Sequence, residues 1–127
     1  MDLVIEKSIR ENTSPVILAR VLDSTGEAAD ADSFASCAYS IYQFDGDLLT
    51  SGSLVVADVI EDALVTPSTD SRWRKDQTGY NFLWQISAAL LSLDGRATYW
   101  IEIVFLDASG AAIPVLVKLE QHPLRSL

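Results

Sequence analysis

Ala97-Thr98-Tyr99-Trp100-Ile101-Glu102-Ile103-Val104-Phe105-Leu106 runs into Asp107-Ala108-Ser109-Gly110 and then into Ala111-Ala112-Ile113-Pro114-Val115-Leu116-Val117-Lys118-Leu119. Two β-rich runs flank a four-residue turn signal, the pattern of a β-hairpin. An Asp-x-x-Gly turn suits a type I turn whose closing Gly takes positive φ and forms a bulge. That geometry predicts pairs Asp107–Ala111, Phe105–Ile113, Ile103–Val115, Ile101–Val117 and Tyr99–Leu119, all on one face. A one-residue slip would set Lys118 and Pro114 opposite Tyr99 and Ile103, mixing core with solvent residues. Turn chemistry and apolar pattern therefore agree on a structural hairpin, which carries no chemistry of its own.

The other flanking segments read in the same way. Residues 2–9 alternate loosely and suit a first edge strand, and Pro15 suits a strand start before Val16 to Leu22. Asp23-Ser24-Thr25-Gly26 repeats the hairpin's Asp-x-x-Gly spacing. Cys37 to Phe44 alternates strictly, with Cys37, Tyr39 and Ile41 on one side, and Asp45-Gly46 signals a hairpin. Gly52 is expected to mark a bulge in the following strand. Val59 to Val65 fits either a strand or a short helical turn. Tyr80, Phe82, Trp84 and Ile86 share a strand face, and Ser87 to Leu93 allows at most a short helical stretch. About seven to eight strands follow, with turn signals roughly every 8 to 14 residues, which predicts an antiparallel sandwich or barrel. Tyr99, two residues before the apolar Ile101 and just after Asp94-Gly95-Arg96, stands where immunoglobulin-like domains place a tyrosine corner. It reads as that corner or as a plain strand tyrosine.

Composition bounds the function. The 127 residues suit one domain, 1–127, and 49% hydrophobic with 21% charged residues is globular composition. Mean hydropathy is +0.20, yet no apolar run reaches the length of a bilayer span, so no membrane partner is expected. The acidic start lacks a signal peptide's basic region, which predicts a chain made and used in the cytoplasm or in a particle assembled there. A net charge of −9 argues against nucleic acid, whose binding calls for basic patches. The single cysteine excludes an internal disulfide, and Cys37 reads as a small buried hydrophobe. With one histidine, His122, in a terminal segment, neither a metal site nor a cofactor is expected.

The acid groups (Asp23, Asp30 and Asp32; Asp45 and Asp47; Asp58, Glu61 and Asp62) sit at turns, where Asp bonds its own backbone. None has calcium-hand spacing, and no nucleophile-elbow or phosphate-loop motif occurs, so no enzyme is expected. Two surfaces are the interface candidates. The first is the polar segment Thr66 to Gly79, with Arg72, Trp73 and Arg74. Long loops in compact domains tend to be functional. Trp73 reads as a loop anchor or as a contact aromatic. The second is the even-numbered side of the hairpin, where Trp100, Val104, Leu106 and Leu116 are more apolar than a solvated face requires. Either the chain's own N-terminal segment or another subunit is expected to cover it.

The segments Arg10 to Ile17, Asp23 to Glu27, Tyr39 to Gly46 continuing through Ser51-Gly52-Ser53 to Leu54, and Arg96 to Val117 together make a recognisable series. It comprises a polar opening into a Pro-led strand, an Asp-x-x-Gly turn, a central strand with an Asp-Gly turn, and a last hairpin with Tyr99-Trp100-Ile101-Glu102. As a whole the chain resembles the small immunoglobulin-like β-sandwich proteins of tailed bacteriophage virions. The segment Trp73 to Trp84 has no counterpart in that pattern. The resemblance implies an immunoglobulin-like antiparallel β-sandwich acting as a non-catalytic virion component of the neck, tail or capsid surface. Its implied partners are portal, tail or capsid subunits, met through the Trp73 loop, the hairpin face and the termini as a symmetric homo-oligomer. The alternative is a carbohydrate- or receptor-binding module using Trp73, Trp84 or Trp100 as a stacking platform. A hydrolase using clustered carboxylates has only turn aspartates behind it.

Overall fold

A computed structural model describes residues 3–23 and 25–123. Ser24 and the terminal residues 1–2 and 124–127, and with them part of the expected terminal contacts, lie outside it. The strands are β1 (Leu3–Arg10), β2 (Val16–Ala19), β3 (Ser36–Gln43), β4 (Leu48–Leu54), β5 (Ile60–Val65), β6 (Tyr80–Gln85), β7 (Ala97–Leu106) and β8 (Ala112–His122). They form a five-stranded sheet in the order β1-β8-β7-β3-β4 and a three-stranded sheet in the order β2-β6-β5. This is a β-sandwich. The run β8-β7-β3-β4 reproduces the G-F-C-C′ order of immunoglobulin domains, and β2-β6-β5 reproduces B-E-D.

The β7–β8 hairpin has the expected register throughout, including Tyr99 with Leu119 and Phe105 with Ile113. The Asp107 amide donates to the Ala111 carbonyl at 3.0 Å, and Gly110 takes φ 89°. Asp107 fixes the turn by accepting from the Ser109 hydroxyl and amide and from the Ala111 amide. Asp23 does the same for Thr25 and Glu27, so the two Asp-x-x-Gly turns share one side-chain logic.

Tyr99 is a tyrosine corner. Its hydroxyl accepts at 2.9 Å from the amide of Leu93, six residues before it in the chain, and its ring is fully buried. The core is one cluster between the sheets, built from Ile41, Ile101, Ile103, Phe105, Val115, Val117 and Leu119 on one side and Ile17, Phe82, Trp84 and Ile86 on the other. Phe82 meets Phe105 edge to face at 5.6 Å between ring centroids.

Two expectations need correction, and a third that stood open between two forms is settled. The sandwich is not wholly antiparallel, because β1 runs parallel to β8, with Ile5 beside Val117 and Ile9 beside Gln121. Gly52 is no bulge; it stays in register with Tyr39, and the irregularity falls between Ile41 and Tyr42. A Cβ on Gly52 would lie 2.7 Å from the Tyr39 hydroxyl, so the glycine makes room for a ring that stacks on Trp84 at 5.0 Å. Val59 to Val65 is both things at once, the end of a one-turn helix (α1, Val56–Val59) and then β5.

Candidate binding surfaces

The outer face of the five-stranded sheet carries the even-numbered residues of β7 and β8. Pairing across the strands builds one row from Leu48, Tyr42, Trp100, Lys118 and Glu6, and another from Ala38, Val104 and Pro114. Trp100 is 36% exposed, Leu106 39% and Leu48 56%, while Val104 and Leu116 are half-buried. The Lys118 ammonium lies 5.5 Å from the Trp100 ring centroid, a cation–π contact. The described N-terminal segment does not cover this face; β1 extends the sheet beside β8 instead. The structure therefore brings Trp100, Val104, Leu106 and Leu116 together on one open surface.

The 66–79 loop joins β5 to β6, and Trp73 is its anchor. The indole is 5% exposed and contacts the Tyr80 ring at 5.9 Å between centroids. Of the two readings of Trp73, contact aromatic on a partner surface is the one its burial removes. Its Nε1 donates to Asp76 at 2.9 Å, and Asp76 also accepts from the amides of Thr78 and Gly79 and from Arg20 at 2.8 Å. These donors, Trp73 first and then Arg20, hold the Asp76 carboxyl well below the usual range. Arg72 grips Asp70 with Nε and Nη2, and Tyr80 donates to the same carboxylate at 2.6 Å; Arg72 chiefly, then Tyr80, keeps Asp70 low. Arg72 and Arg74 are exposed.

The loop's position creates a feature that sequence reasoning missed. A cleft opens at the seam between the edge strands β1 and β2, and Trp73 divides it into two cavities. One, of about 530 Å³, is lined by Ile5, Val21, Trp73, Asp76, Ile113 and Val115 among others. The other, of about 350 Å³, is lined by Ile5, Lys7, Val16, Leu18, Arg74 and Lys75 among others. The run Arg72-Trp73-Arg74-Lys75, basic around one aromatic, was the only hint in the sequence.

Elsewhere the chemistry is sparse. Burial pushes the Cys37 thiol up to about 12, so it stays protonated and unreactive. The Ala31 amide donates to Asp62, which draws two of the acid groups towards each other. Among the described residues no three His, Cys, Asp or Glu side chains converge as metal ligands.

No protein-family model and no curated protein matches the chain. Among solved structures, CopC from Methylosinus trichosporium OB3b is similar at 14% identity and a TM-score of 0.45, over 95% of this chain and 88% of that one. A 2,6-sialyltransferase of Photobacterium sp. JT-ISH-224 is similar at 14% identity and a TM-score of 0.37, over 97% of this chain and 18% of that one. At these scores neither likeness bears on what this chain binds.

Proposed function

We propose that the chain is a non-catalytic structural component of a tailed-bacteriophage particle, binding neighbouring virion subunits through the outer face of its five-stranded sheet. The observation that carries the binding half is the open apolar surface of Trp100, Val104, Leu106 and Leu116, continued by Tyr42 and Leu48. Such a cluster of apolar side chains, broken by Glu102, on a domain otherwise rich in acid supports a contact surface. The virion half is supported by the resemblance of the Pro-led strand, the paired Asp-x-x-Gly turns and the last hairpin to small phage sandwich proteins. Repeated copies in a symmetric particle would each bury this face against a portal, tail or capsid neighbour.

The carbohydrate reading is weaker, because Trp73 and Trp84 are buried and leave Trp100 as the one candidate platform among the three. Density-gradient purification of particles from producing cells, followed by mass spectrometry, tests the proposal. The chain should co-purify with the particles at fixed stoichiometry. A chain that stays monomeric in the supernatant, or that binds a glycan array through Trp100, overturns it.

A further inference from the structure

β1 lies beside β8, not beside β2, where strand A of constant-type immunoglobulin domains pairs. β2 is therefore an edge. The Ile86 amide donates to the Pro15 carbonyl at 2.9 Å, which sets the phase of the β2–β6 ladder. Residues 15, 17 and 19 bond towards β6, and the amides and carbonyls of Val16 and Leu18 turn outward. Among the described residues no other backbone segment reaches them. They face the smaller cavity of the seam cleft, whose walls include Ile5 and Trp73.

Charge selects the occupant. Of the nine Lys and Arg residues in this chain, Lys7, Arg20, Arg72, Arg74 and Lys75 line the two cavities. Arg20 and Arg72 are committed to Asp76 and Asp70, whereas Lys7, Arg74 and Lys75 are exposed and have no anionic partner among the described residues. Against these five stand Glu6, Asp23 and the Arg20-paired Asp76. The cleft is thus locally basic on a chain of net charge −9. Lys7, in register with core-facing Leu119, is an inward-pointing charge of the kind that guards a strand edge; β1 is protected by it and β2 has no such guard.

We propose that the seam cleft docks an extended, acidic segment of another polypeptide, which adds as a strand to the open edge of β2 with its acidic side chains against Lys7, Arg74 and Lys75. Main-chain bonds would supply affinity and the basic rim specificity. A second copy of this chain is a poor occupant. The other edge of its own three-stranded sheet, β5, pairs with β6 only at Ile60 and Val65, with an irregularity between, and so offers no regular strand to add. The inference stands apart from the virion reading, which concerns the opposite face of the other sheet.

The test is a fluorescence-anisotropy titration of the full chain with a labelled, capped peptide alternating valine and glutamate. Saturable binding is expected, with none for the valine–lysine counterpart. Methylating alternate backbone nitrogens of the peptide should abolish it without touching the protein. Combining Lys7→Glu, Arg74→Glu and Lys75→Glu, all exposed changes, should weaken binding about tenfold or more. Leu18→Pro removes an amide that β6 does not use and should abolish binding while the fold persists by circular dichroism. No saturable binding, indifference to N-methylation, indifference to the charge reversals, or tighter binding of oligothymidine in the same cleft each overturns the proposal.

Discussion

The Leu93 amide donates to the Tyr99 hydroxyl at 2.9 Å, pinning the chain entering β7 to the first core residue of that strand. Gln121 completes the corner, donating to the carbonyls of Leu93 and Gly95 at 2.8 Å each. The corner thus ties the β6–β7 crossover to the last strand. Tyr99→Phe leaves the ring in place and orphans a part-buried amide, at a cost of about 1–3 kcal/mol. The urea midpoint should fall while the m-value stays unchanged.

Asn81 does for β2 what Tyr99 does for β7. Its side chain is 1% exposed, accepts from the Val21 amide at 2.6 Å and donates to the carbonyls of Val21 and Ala29 at 2.8 Å. It continues the ladder by side chain where β2 has ended. Asn81→Ala should cost roughly 3 kcal/mol or more, because three buried backbone groups lose a partner at once. Hydrogen exchange should show the loss first around Val21 to Ala29 and later in the β7–β8 hairpin.

Acid should loosen the Trp73 loop. Asp70 and Asp76 both have carboxyls held well below the ordinary value, by Arg72 and Tyr80 in one case and by Trp73 and Arg20 in the other. In the unfolded chain these groups bind protons at a higher pH than in the folded chain. Their stabilisation is therefore fully present above the unfolded carboxylate value, near pH 4, and is lost as pH falls through that value towards the folded one. Thermal midpoints should decline below about pH 4, with Trp73 fluorescence reporting exposure at or before global unfolding. Asp76→Asn should lower the midpoint at neutral pH and flatten the acid slope.

Local signals carried the hairpin. The Asp107 turn and the alternation from Tyr99 to Leu119 specify register within a single stretch, so the observed pairs follow from the residues alone. The tyrosine corner was half-legible, since Tyr99 could be placed but its partner Leu93 depends on the crossover path. Trp73 was half-legible, since the anchor could be named as one of two readings but its partners Asp76, Tyr80 and Arg20 come from different segments. Gly52 misled for a similar reason, as the ring it accommodates belongs to the neighbouring strand. The parallel pairing of β1 leaves no turn signal, and the seam cleft exists only because β1 goes to β8. Alternation correctly separated the buried face of the hairpin from Trp100, Val104, Leu106 and Leu116, but could not say what covers them.

The open outer face is the centre of the functional account, and Trp100→Glu addresses it most directly. The residue lies outside the core, so the variant should fold as the parent does, within about 1 kcal/mol by urea denaturation. Particles purified from cells producing each form would then be assayed for the chain by quantitative mass spectrometry. The account predicts the parent chain in the particles at fixed stoichiometry and the folded Trp100→Glu chain missing from them. Equal incorporation of both forms, or absence of the parent chain from the particles, would contradict it.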